Sequence, residues 1–236
     1  MVPAGEAGGR RGRSPVTLAV LTAIGLCLVA GFLSLGMWQL HRRVWKLDLI
    51  ATVEARLHAA PVAAPARAGP DDAYRRVTAT GRFRNDRETF VQAVTERGPG
   101  FWVLTPLVGP QFTLLVNRGF VPAERRAVHD RPDGAVRVTG LVRVTEPAGA
   151  FLRSNDPAQD RWYSRDVDAI ARAKRLGPVA PYFIDADATP NPGGYPVGGL
   201  TVVAFRNSHL SYALTWFAMA LLTIVGIVIL WRRGRE

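Results

Sequence analysis

The chain has 236 residues, 48% of them hydrophobic, and carries a net charge of +11 from 30 Lys and Arg against 19 Asp and Glu. Two long uncharged apolar stretches exclude an ordinary water-soluble globular protein, and the want of a third excludes a multi-spanning channel or transporter. The basic residues are nearly all arginine, with lysine only at Lys46 and Lys174, and they are scattered, so no nucleic acid is expected as partner.

In chain order, residues 1–15 form a short tail with Arg10, Arg11 and Arg13. Val16 to Trp38, 23 residues without charge, is long enough to cross a bilayer as a helix. It is too long for a signal peptide, and Met37-Trp38-Gln39-Leu40 offers no small-residue cleavage site. Cys27, the one cysteine, lies inside it, so neither an intrachain disulfide nor a thiolate pair is available. Residues 39–72 read as a stalk and linker. Val44, Leu47, Ile50, Val53 and Leu57 recur at helical spacing, and Pro61 and Pro65 end the helix.

From residue 73 to 207 the period becomes that of strands. Strands are predicted at Arg76 to Phe83, Thr89 to Val94, Phe101 to Leu107, Phe112 to Val121 and Ala135 to Thr145. Gly98-Pro99-Gly100 reads as the turn between the second and third. Asp166 is placed to cap a short helix ending before Gly177-Pro178. Tyr182 to Ile184 and Leu200 to Phe205 read as the last strands, with Thr189 to Gly199 a loop. Residues 208–231 contain the second uncharged stretch, Leu210 to Trp231, and residues 232–236 are a second basic tail.

The expected class is therefore a membrane α+β protein. Two transmembrane helices, N- and C-terminal, flank a compact antiparallel β-rich extracytoplasmic domain with one short helix, either a sheet or barrel-like. Arginines at both ends favour cytoplasmic termini and a two-pass protein of the bacterial plasma membrane, although Arg42, Arg43 and Lys46 run against that rule.

No nucleophile motif, Walker loop, HExxH or G-x-G-x-x-G is present, which argues against an enzyme. His58, by the linker, and His129, in a charged turn, read as solvated surface residues. The informative residues gather where the two apolar stretches meet water. His209, Tyr212 and Trp216 fall on one helical face, as do Trp38, Arg42 and Trp45. An interfacial belt accounts for the aromatics. It accounts less well for His209 and Gln39, which need a partner at the rim of an apolar helix. A haem site is the sharper reading. His209 would supply the axial nitrogen to the iron, Trp38, Tyr212 and Trp216 would line the macrocycle, and Arg42 and Arg43 would pair with propionates.

Three motifs then resemble those of the surfeit locus protein family. They are Gly36-x-Trp38-Gln39-x-x-Arg42-x-x-x-Lys46, Asn117-Arg118-Gly119-Phe120-Val121-Pro122, where the family usually has Trp at the Phe120 position, and Asn207-x-His209-Leu210-x-Tyr212-Ala213-x-Thr215-Trp216-Phe217. The resemblance implies an assembly factor for haem-copper cytochrome c oxidase, helping haem a delivery or insertion into subunit I. It implies that subunit, and haem a synthesis enzymes, as partners. In some bacterial members the histidine matching His209 is tied to haem. A scaffold that holds an oxidase intermediate without touching haem, and a membrane-tethered cell-envelope enzyme, are the alternatives.

Overall fold

A computed structural model describes residues 14–147, 153–203, 205 and 207–233. They divide into two compact units, one of residues up to 50 with 205 onward, the other of residues 51–204.

The first unit is helical. Helix α1 runs unbroken over Pro15–His58, and the C-terminal helix, α3, spans His209–Arg233. Both are long and apolar enough to cross a membrane. At about 1.5 Å per residue, the apolar part of α1 matches the ~30 Å of a hydrocarbon core, and the helix continues beyond it through the predicted stalk.

The second unit is a β barrel carrying one short helix. Its strands are β1 (Val62–Ala63), β2 (Arg76–Phe83), β3 (Thr89–Thr95), β4 (Gly98–Val108), β5 (Thr113–Pro122), β6 (Ala135–Val144) and β7 (Val179–Ala186). Helix α2 occupies Val167–Lys174. Asp166 caps it as the sequence predicts, accepting from the Ala169 N–H at 3.0 Å.

The sheet order is β1-β2-β6-β7-β5-β4-β3, and a further β2–β4 pairing closes β2, β6, β7, β5 and β4 into a ring. The long β4 makes this possible, because Gly98–Leu104 pairs with β3 and Leu107–Val108 with β2.

The expectation of an antiparallel sheet is corrected here. The β5–β7 pair is parallel, while the other four pairs of the ring are antiparallel. A ring of five cannot alternate direction throughout, so closure itself demands a parallel pair. Two local expectations are also corrected. Gly98, Pro99 and Gly100 lie inside β4, and the turn falls on Glu96-Arg97. Thr201, Val202, Val203 and Phe205 form no strand. The short β1, within the predicted linker, pairs parallel to β2.

Strand β5 is buried on both faces from Leu114 to Val121. Leu115 joins Leu104, Phe183, Trp162, Val167 and Ile170 under α2. Leu114, on the opposite face, joins Val77, Val142, Tyr182 and Ile184. Burial pushes the Tyr182 phenol well above its ordinary pKa, so it stays protonated and donates to the Pro65 carbonyl at 2.6 Å. Replacing Tyr182 with phenylalanine is expected to cost about 1–2 kcal/mol by orphaning that carbonyl, measurable as a lower melting temperature at unchanged secondary structure.

The loop before α2 is tied by Asp160. Its Oδ1 accepts from Trp162 Nε1 at 2.7 Å and from Lys174 Nζ at 2.8 Å. Partial burial acts to raise its pKa, but these two hydrogen bonds outweigh it and hold the carboxyl below its usual value. A depressed carboxylate contributes stability above its unfolded pKa and loses it as the pH falls through the folded one. The contribution therefore fades below about pH 4. Melting temperatures at pH 7 and pH 3 should differ less in Asp160→Asn than in the parent.

Candidate functional site

The site is built by the antiparallel pairing of α1 and α3. On α1 the less exposed residues include Leu18, Thr22, Gly25, Val29, Phe32, Gly36, Gln39, Arg43 and Lys46. On α3 they include His209, Ala213, Trp216, Ala220, Thr223, Ile227 and Leu230. Both series step by four and three residues, the 3.5-residue period of a supercoiled seam.

Small residues set the closeness of that seam. A Cβ at Gly36 would lie 2.4 Å from the Phe217 ring, and one at Gly25 would lie 2.8 Å from Ile227. Ala213 and Ala220 are buried opposite. Trp216 stacks on Phe32, with ring centroids 5.8 Å apart. Gly36→Leu is expected to push the helices apart and lower the unfolding temperature of the detergent-solubilised chain. Ala213→Gly, which preserves the close approach, should have the smaller effect.

Each end of the seam holds a polar pair. At one end the Trp231 indole N–H donates to Thr22 Oγ1 at 2.8 Å. At the other, where the apolar run of α1 stops, His209 Nδ1 lies 2.8 Å from the Gln39 amide oxygen. Two residues before His209, the Asn207 side-chain oxygen is buried without a hydrogen-bond partner among the described residues, an acceptor that a ligand's donor would satisfy.

The other predicted site residues are placed as follows. His209 is half-buried at the first position of α3. Trp216 belongs to the seam two turns along, committed to Phe32. Tyr212 and Trp38 are each 57% exposed and lie off the seam. Arg42 stacks over Trp45 at 4.1 Å, and Arg43 is half-buried on the seam face of α1. Among the described residues no three His, Cys, Asp or Glu side chains cluster as a metal-binding set.

The barrel carries two polar clusters that reasoning from the sequence missed. Asp185, almost fully buried, accepts from Asn117 Nδ2 at 2.8 Å, Arg143 Nη1 at 2.7 Å, Thr201 Oγ1 at 2.9 Å and Arg165 Nη1 at 3.3 Å. A cavity of about 230 Å³ adjoins it. With both oxygens engaged by donors, Asp185 ties these segments together.

Arg118 centres the second cluster. Its Nη1 donates to the Asp130 carbonyl at 2.7 Å and its Nη2 to the Asp130 carboxylate at 3.0 Å, with Glu88 at 3.6 Å. Desolvation lowers its pKa, opposed by Asp130 and Glu88, and the guanidinium stays charged.

The solvated reading of His129 is corrected by this cluster. Its side chain is fully buried, 3.2 Å from Glu88 Oε1 and edge-on to Phe90. Its turn is charged because those charges pair inward. His58 is exposed, as expected. A larger groove of about 980 Å³, lined by Phe101, Trp102 and Tyr163 with Glu146, Arg153 and Arg165, lies beside β3 and β4.

Comparison with known proteins then places the chain. A family model described as "SURF1 family" matches residues 26–221. A SURF1-like protein of Monosiga brevicollis is 40% identical over 85% of this chain and 83% of its own. Surfeit locus protein 1 of Rattus norvegicus is 37% identical over 84% of this chain and 71% of its own. Surfeit locus protein 1 of Homo sapiens is 36% identical over 80% of this chain and 70% of its own.

Proposed function

The chain belongs to the SURF1 family, and from that premise we propose that it is a membrane-anchored assembly factor for haem-copper cytochrome c oxidase, receiving haem a as cargo and assisting its insertion into subunit I. Helices α1 and α3 serve as the two anchors in a bacterial plasma membrane, with both termini cytoplasmic and the barrel outside. The protein acts as a carrier and not as an enzyme.

The observation that carries this reading is the setting of His209. It is half-buried at the polar end of an otherwise apolar seam, hydrogen-bonded to Gln39, and flanked by an orphaned acceptor on Asn207. A lone imidazole can serve as the protein's ligand where a macrocycle would itself supply four nitrogens to the metal. Trp38 and Tyr212 offer exposed aromatic surface for the ring, and Arg42 and Arg43 offer cations for its carboxylates.

A carrier must also release its cargo. A single protein ligand at a half-exposed site would keep the affinity moderate, so that histidines of subunit I could compete. Purification after co-expression with haem a synthesis enzymes tests the proposal. Haem a in the purified protein, together with loss of oxidase activity but normal apo-subunit levels on deletion, is expected. Colourless protein from haem a-replete cells would favour a scaffold that holds the oxidase intermediate without haem.

A further inference from the structure

We propose that Gln39 is the positioning residue of the His209 site, holding the imidazole in the one tautomer that leaves Nε2 free to bind a metal. This deepens the cargo reading above and rests on it. An amide oxygen only accepts hydrogen bonds, so with Gln39 Oε1 facing the ring at 2.8 Å the proposal places the proton on His209 Nδ1. A neutral imidazole has one such proton, and Nε2 is therefore the bare nitrogen. An unconstrained histidine side chain prefers the opposite arrangement, with the proton on Nε2, where it blocks ligation.

The geometry behind this contact is held by the seam. Gln39 follows Phe32 and Gly36 on the same face of α1, and His209 precedes Ala213 and Trp216 on α3. The Phe32–Trp216 stack and the fit of Phe217 against Gly36 set the register of the two helices within two turns of the pair. Residues 170 apart in sequence are thus delivered to hydrogen-bonding distance by packing. The first and third motifs, at opposite ends of the chain, meet at this pair. One supplies the ligand and the other sets its tautomer, in the way outer partners orient metal-binding histidines.

The competing role is purely mechanical, with Gln39–His209 tying the helices as Thr22–Trp231 does at the far end. The experiment separates the two. The full chain, labelled with ¹⁵N-histidine and held in nanodiscs, is compared with Gln39→Met, which is nearly isosteric and apolar, and with Gln39→Glu, which keeps an acceptor. His209→Ala assigns the His209 resonances and serves as the binding control.

The parent and Gln39→Glu should show the proton on Nδ1. Gln39→Met should move it to Nε2 and weaken the binding of ferric protohaem about tenfold or more, with the helical signal unchanged. Unchanged tautomer or unchanged affinity in Gln39→Met overturns the proposal. If the tautomer shifts but His209→Ala binds protohaem as well as the parent, the cargo reading fails while Gln39 still sets the ring.

Discussion

Replacing His209 with alanine is expected, on the proposed carrier reading, to abolish haem binding by the purified chain, reading as loss of the Soret band and an affinity for added haem weaker by about tenfold or more. Without the imidazole, haem would be held only by dispersion contacts with its ring and by pairing of its propionates with arginine. The helix should survive, because alanine is the best helix former and position 209 is the first residue of α3. Circular dichroism and the unfolding temperature therefore provide the control. A variant that keeps the pigment at full occupancy would show that His209 serves helix pairing alone.

Gly119→Ala is expected to be the most damaging single-atom change in the barrel. Gly119 has φ +130°, a backbone conformation that L side chains rarely adopt, and an added Cβ would lie 2.2 Å from the Val197 carbonyl oxygen. That approach is part of a two-bond bridge. Phe120 N–H donates to Val197 O, and Val197 N–H donates to Phe120 O, both at 2.9 Å.

Forcing the segments apart costs about 1–3 kcal/mol in backbone strain and about 1 kcal/mol for each hydrogen bond lost. A total of about 3–5 kcal/mol is a large share of the ~5–15 kcal/mol that stabilises a folded domain. The melting temperature should fall by on the order of 10 °C. A fall of only a degree or two would mean that β5 and the 197–199 segment are not held together by this contact. The glycine of the Asn117-Arg118-Gly119 motif is thus explained by close approach. The asparagine and arginine are explained by the Asp185 and Glu88–Asp130 clusters that they complete.

Much of the barrel could be read along the chain. Strand β2 runs over the same residues as its alternating pattern, and α2 starts after the Asp166 that caps it. These are local signals, set by period and by one side chain's hydrogen bond. The failures share a different cause. Leu200 to Phe205 has the residue types of a strand, but Thr201 spends its hydroxyl on Asp185 and Val202 stays 78% exposed. A strand needs a neighbour's edge as well as a propensity, and which edges are open depends on how the ring closes. His129 fails in the same way, because its burial depends on Glu88, 41 residues earlier.

Composition and spacing established two bilayer-length apolar helices around a β-rich middle, and the likeness of three motifs to a known family pointed to the family to which the chain belongs. They also singled out His209 and Gln39 as groups in need of partners, because a polar side chain at the rim of an apolar helix cannot stay unsatisfied. That each is the other's partner was decided by the tertiary structure. A helix apolar on every side has no hydrophobic face to read, so the seam is marked only by small residues such as Gly25, Gly36, Ala213 and Ala220. The parallel β5–β7 pair was likewise decided by closure, since an odd ring imposes a direction that no single strand encodes.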